Sequence, residues 1–98
     1  MSERLKITRG SGNVFLDIGF DKNEAENLRL RAELMMRIDE FYESSGMTQA
    51  KAAKLLGLTT PRLNALLKGK ITLFSLDALV NIASRAGLGV RLLVNKAA

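Results

Sequence analysis

Thr48–Gly69 reads TQAKAAKLLGLTTPRLNALLKG, and the reading of this stretch decides the fold. Its spacing predicts two short helices joined by a tight turn at Gly57. The first helix runs from Gln49 to about Leu56. It stops where glycine can take the left-handed backbone conformation without a Cβ penalty. The second opens at Thr59, whose hydroxyl can accept from a backbone N–H two or three residues on. Pro61 falls in that helix's first turn, where a missing N–H costs nothing. Gly69 ends it. Ala52, Ala53, Leu55 and Leu56 are expected to supply the buried side of the first helix, with Lys51 and Lys54 turned elsewhere. Leu63, Leu66 and Leu67 recur at spacings of three and four and face the core, which leaves Thr60, Arg62, Asn64 and Lys68 off it. Ala53 is small enough to let the two helices approach closely.

Working outward, Lys70–Phe74 is a connection carrying apolar Ile71, Leu73 and Phe74. Ser75 then caps a further helix, and Asp77 suits its positive end. Leu76, Leu79, Val80, Ile82 and Ala83 pack inward, Arg85 suits the C-terminal end, and Gly87 closes the helix. Leu88–Val94 (LGVRLLV) is too short for another helix, and Val90–Val94 is expected to form one strand. A lone strand must pair to satisfy its backbone. The open candidates are Leu5–Ile7, the same strand of a second copy, or another protein.

Upstream, Asp21-Lys-Asn-Glu24 is a capping box that starts a long helix, stopped by Gly46. One stripe on it is Leu28, Ala32, Met35, Ile38 and Tyr42. A second is Leu30, Leu34, Ile38 and Phe41, so the apolar face is wide. The other face carries Glu26, Glu33, Arg37, Glu40 and Glu43. Before it, NVFLDIGF suggests one helical turn capped by Asn13, tucking Val14, Phe15 and Ile18 onto the domain. The expected organisation is an arm over 1–20 followed by a helical domain over 21–98, with the two-helix unit at 48–69. The fold class is all-α, five helices with a short C-terminal β-strand at 90–94.

The 98 residues suffice for one domain with a modest core. Cysteine and histidine are both absent, which removes thiolate and imidazole metal ligands and the commonest general acid/base. No cofactor or metal and no enzymatic role is therefore expected. There is no apolar run long enough for a membrane span and no signal pattern, so the expected location is cytoplasmic, with no membrane partner. Net charge is +5, unevenly spread. Residues 1–45 hold seven basic and nine acidic side chains, whereas residues 46–98 hold eight basic ones against Asp77 alone. The basic half contains the two-helix unit, as a phosphate-facing surface would.

Two helices at a wide angle around a glycine turn make a helix-turn-helix, a motif whose second helix enters the DNA major groove. Gln49, Ala53, Gly57, Leu58, Leu63 and Leu66 stand where the Xre-like (lambda-repressor/Cro-like) family has its glutamine, alanine, turn glycine and closing aliphatics. The sequence resembles that family over about Arg37–Gly87. With NVFLDIGF, the long helix and LLKGKITLFSLDALVNIASRAGL included, it is similar to a subgroup of small stand-alone regulators. These are often antitoxins of the HigA type, encoded beside a RelE-like ribonuclease toxin.

The resemblance implies a DNA-binding repressor, autoregulatory and homodimeric, on a palindromic double-stranded operator. The alternative it implies is an antitoxin whose main partner is a toxin protein. It also implies that Thr59, Thr60, Arg62 and Asn64 lie in the major groove. The chemistry agrees, since Arg62 can bond guanine O6 and N7 and Asn64 can bond adenine N6 and N7. Thr60 suits a phosphate or a thymine methyl. Gln49 matches the family residue that bonds phosphate and braces the second helix. Lys51, Lys68 and Lys70 suit sequence-independent phosphate contacts. Pro61 departs from the usual polar residue and removes one base contact.

Overall fold

The computed structural model describes residues 13–96. Along it run α1 (Val14–Asp17), α2 (Lys22–Ser45), α3 (Gln49–Leu56), α4 (Thr60–Leu67), a 3-10 turn (Ile71–Leu73) and α5 (Leu76–Arg85). Every α-helix begins on a side-chain cap that satisfies one of its orphan N–H groups. Asp21 Oδ1 accepts from the Glu24 N–H at 2.9 Å. Thr48 and Thr59 hydroxyls accept from Lys51 and Arg62, each at 3.2 Å, and Ser75 accepts from Ala78 at 3.1 Å. Gly46 ends α2 at φ 73° and Gly57 ends α3 at φ 74°, both in the left-handed region.

The main core lies where α2, α3, α4 and α5 meet. Met35 and Ile38 of α2 meet Ala52, Ala53 and Leu56 of α3, Leu63 and Leu66 of α4, Phe74, and Leu79, Ile82 and Ala83 of α5. The first stripe of α2 is buried from Leu28 to Ile38; its last member, Tyr42, is half-buried, as are Leu34 and Phe41 of the second, and all three pack against the main core. A second, smaller core joins α1 to the start of α2 through Phe15, Ala25, Leu28 and Ala32. Ile71 of the 3-10 turn packs against both. The arm's apolar turn is thus a core element rather than a loose appendage.

Three expectations are corrected. Ile18, expected to tuck inward, is 67% exposed. Ile18 lies past the last residue of α1, at its C-cap, while Phe15 and Val14 make the contact with α2. Leu55 is also exposed. At about 100° per residue it leaves α3 well away from the direction shared by Ala52, Ala53 and Leu56.

The third correction concerns Val90–Val94. Among the described residues there is no strand. After the Leu88 N–H donates to the Ala83 carbonyl at 3.0 Å, the chain runs on irregularly. It borders a groove of about 500 Å³ shared with Leu30 and Leu34 of α2 and Leu76 and Val80 of α5. A strand needs an edge to pair with, and the described residues offer none. The expected partner Leu5–Ile7 lies outside the described residues. The architecture is all-α.

Candidate nucleic-acid interface

The α3–turn–α4 unit is built by local rules and then locked from a distance. Leu58 N–H donates to the Ala53 carbonyl at 2.8 Å and Gly57 N–H to the Lys54 carbonyl at 3.2 Å, which closes α3 tightly. A Cβ at position 57 would stand 2.7 Å from Arg85 Nε and 3.1 Å from its Cζ. The Arg85 guanidinium therefore lies directly over the turn, close to the negative end of α3 where a cation is favoured. Thr59 caps α4, and Pro61 lies in its first turn as the spacing required.

Against this frame the expected site residues can be placed one by one. Lys51, on the first turn of α3, is exposed, and Gln49, the first residue of that helix, is half-buried. Thr59, Thr60 and Arg62 form an exposed N-terminal turn of α4, with Asn64 half-buried one turn further on. Lys68 and Lys70 are exposed at its far end and just beyond. Arg62 and Asn64 do not share a face. Two residues apart, they leave the helix on flanks about 200° from each other.

The flank of Arg62 is defined by a contact the spacing did not announce. Its guanidinium carbon lies over the Phe74 ring, 4.4 Å from the centroid, a cation–π contact. Phe74 is fully buried beneath it. Among the described residues the Arg62 side chain makes no hydrogen bond or ion pair.

A second arginine, Arg31 of α2, was missed altogether as a participant. It reaches across to the backbone of the 3-10 turn, donating from Nη1 to the Ile71 carbonyl at 3.3 Å and the Phe74 carbonyl at 3.1 Å. The separations 31–74, 62–74 and 57–85 are too long for any periodicity to betray. The only hint in the sequence was an arginine inside an otherwise apolar sector of α2.

The acidic face of α2 is a different surface. Arg29 bridges Glu26 at 2.6 Å and Glu33 at 3.8 Å, and Arg37 approaches Glu40 at 3.6 Å. The hydrogen bond from Arg29 holds the Glu26 carboxyl below its ordinary value, and the same bond raises the Arg29 guanidinium. The pair stabilises the fold above the ordinary carboxylate range and loses that contribution as pH falls through the lowered value. Among the described residues no group of three or more carboxylate, histidine or cysteine side chains is arranged to hold a metal ion. Nor is any helix there long and apolar enough to cross a membrane.

With that geometry in place, a family model described as a helix-turn-helix domain matches residues 14–95. The chain belongs to this helix-turn-helix domain family. The match takes in α1 and the segment after α5, so both flanks of the helix-turn-helix unit belong to the family's domain. The fold is also that of a solved chain described as a candidate XRE family transcriptional regulator. That chain is 24% identical, with a TM-score of 0.70 over 76% of this chain and 83% of the other. A search of curated proteins finds no match.

Proposed function

We propose that this helix-turn-helix protein is a sequence-specific DNA-binding transcriptional regulator, a repressor that acts on its own operon as a homodimer. The observation that carries this is the exposed N-terminal turn of α4, with Thr59, Thr60 and Arg62, set in the basic half of a chain of this family. In this reading α4 enters the major groove. Arg62 reads guanine and Asn64 reads adenine from its two flanks. Gln49 and the N-terminus of α3 meet phosphate, and Lys51, Lys68 and Lys70 add sequence-independent charge.

A single unit of this size reads few base pairs. A two-fold pair sets its recognition helices about 34 Å apart, on successive major grooves of a palindrome. The support for pairing is the exposed apolar run Leu92, Leu93 and Val94 beside the α2–α5 groove.

The experiment is selection of a binding site from random duplex DNA, followed by titration of variants at several salt concentrations. Arg62→Ala is expected to weaken the selected site by roughly 1–3 kcal/mol and to relax one base position. Lys68→Ala is expected to lower affinity for every sequence and to reduce the salt slope by about one. Failure of the wild type to prefer any sequence would sink the reading.

A second reading, an antitoxin that captures a RelE-like ribonuclease toxin, is favoured by one observation. Leu16, Ile18 and Phe20 stand exposed on the arm, as a protein-binding surface would. Ile18→Asp separates the two, since it should abolish toxin capture and leave operator binding intact.

A further inference from the structure

Arg31 lies on α2, and its guanidinium is committed to the segment that follows α4. Both carbonyls it meets belong to the 3-10 turn: Ile71 is the first residue and Phe74 the C-cap, with an extended backbone at φ −130° and ψ 121°. The side chain is half-buried, and its Nε is enclosed with no hydrogen-bond partner. A buried donor left unsatisfied is costly, so what the residue gains must come from the paired Nη1 contacts. Those contacts fix the backbone of Phe74. The Phe74 ring is in turn the floor on which the Arg62 guanidinium lies.

The plane of a guanidinium matters for what it can read. Bidentate recognition of guanine needs both N–H donors in the plane of the base edge, whereas a freely rotating arginine serves a phosphate equally well. A ring floor narrows that freedom, because attraction to the ring face holds the cation in place over it.

We propose that Arg31 is a positioning residue for base readout. By clamping the Ile71 and Phe74 carbonyls it sets the ring that orients Arg62, so a half-buried arginine of α2 tunes the base preference of α4. This rests on the reading that Arg62 meets a base.

The test uses the full chain with Arg31→Met, Arg31→Lys, Phe74→Leu and Arg62→Ala. In the free protein, the NMR signals of the Arg62 side chain report the ring current of Phe74. They should move in Arg31→Met toward their positions in Phe74→Leu, with Arg31→Lys between, because an ammonium can satisfy the carbonyls without the planar fork. On DNA, the site selected by wild type and the base position relaxed by Arg62→Ala define where to look. There Arg31→Met should lower the preference for the selected base at least fivefold. Affinity for random duplex should change less than twofold. In the Arg62→Ala background the same change should remove nothing more.

Where Arg31→Met fails to fold, Arg31→Lys carries the test, with an intermediate loss of preference as the supporting result. A wild type that selects no sequence overturns the DNA reading and this proposal together. A wild type that selects a site while the folded Arg31 variants keep its full base preference, or lose affinity equally on every sequence, overturns this proposal alone.

Discussion

Two apolar stretches flank the helix-turn-helix unit, and they end in opposite conditions. NVFLDIGF, ahead of α2, is held. Asn13 Oδ1 accepts from the N–H groups of Phe15 at 3.0 Å and Leu16 at 3.3 Å, and its amide donates to the Ala25 carbonyl at 3.1 Å. Phe15 is buried against α2 and meets Phe20 edge to face, with ring centroids 6.3 Å apart. LGVRLLV, after α5, is as apolar in composition. Yet Leu92 is 86% exposed, Leu93 81% and Val94 79%. The difference is not hydrophobicity. The first stretch carries a residue that satisfies its backbone locally and ties it to a neighbour. The second is rich in leucine and valine, and the described residues offer it no edge to pair with.

The comparison can be broken at its strongest point. Phe15→Ala should cost about 3 kcal/mol of unfolding free energy in a urea titration, the low end for a buried phenylalanine because this core is small. A loss under 1 kcal/mol would mean that α1 adds little to the fold. Asn13→Ala should cost about 1 kcal/mol, the usual worth of a helix cap, and should raise amide exchange at Phe15 and Leu16. The paired change Leu92→Ser with Leu93→Ser should shift stability by no more than about 0.5 kcal/mol at low protein concentration, as for exposed positions generally. At high concentration, sedimentation should show loss of the proposed homodimer. A large stability loss in the dilute protein would show that the segment is packed within one chain after all.

Much of this fold was legible in local signals. The caps at Asp21, Thr48, Thr59 and Ser75 and the stops at Gly46 and Gly57 each act within a few residues, so short spacings reveal them. The buried stripe of α2 was readable because a long helix repeats its period several times. Leu55 was misread because an eight-residue helix gives the period too little length to separate flank from core. The strand was misread because strand formation depends on a partner, which composition does not supply.

The candidate interface was half legible. The helix expected to carry it could be found by position. The contacts around that helix made by Phe74, Arg31 and Arg85 join residues far apart in the chain. Arg62 shows the limit best. Its spacing said that it avoids the leucine face, and only the fold says that it lies on a ring.

The contact over Gly57 has a consequence for what that position can ever become. Asparagine is the usual substitute where the backbone is left-handed, since it tolerates that conformation better than other side chains. Here the dihedral is the lasting restriction, because the atom a first side-chain carbon would meet, Arg85 Nε at 2.7 Å, is the far end of an exposed, flexible side chain that can swing aside. The position is therefore restricted by angle, and any side chain placed there also displaces the Arg85 guanidinium from the turn. Replacing the arginine with a smaller residue would remove that displacement and leave the restriction on angle. Sequence change at the elbow between the two helices of the motif is thus felt at the end of α5, through the position of one guanidinium.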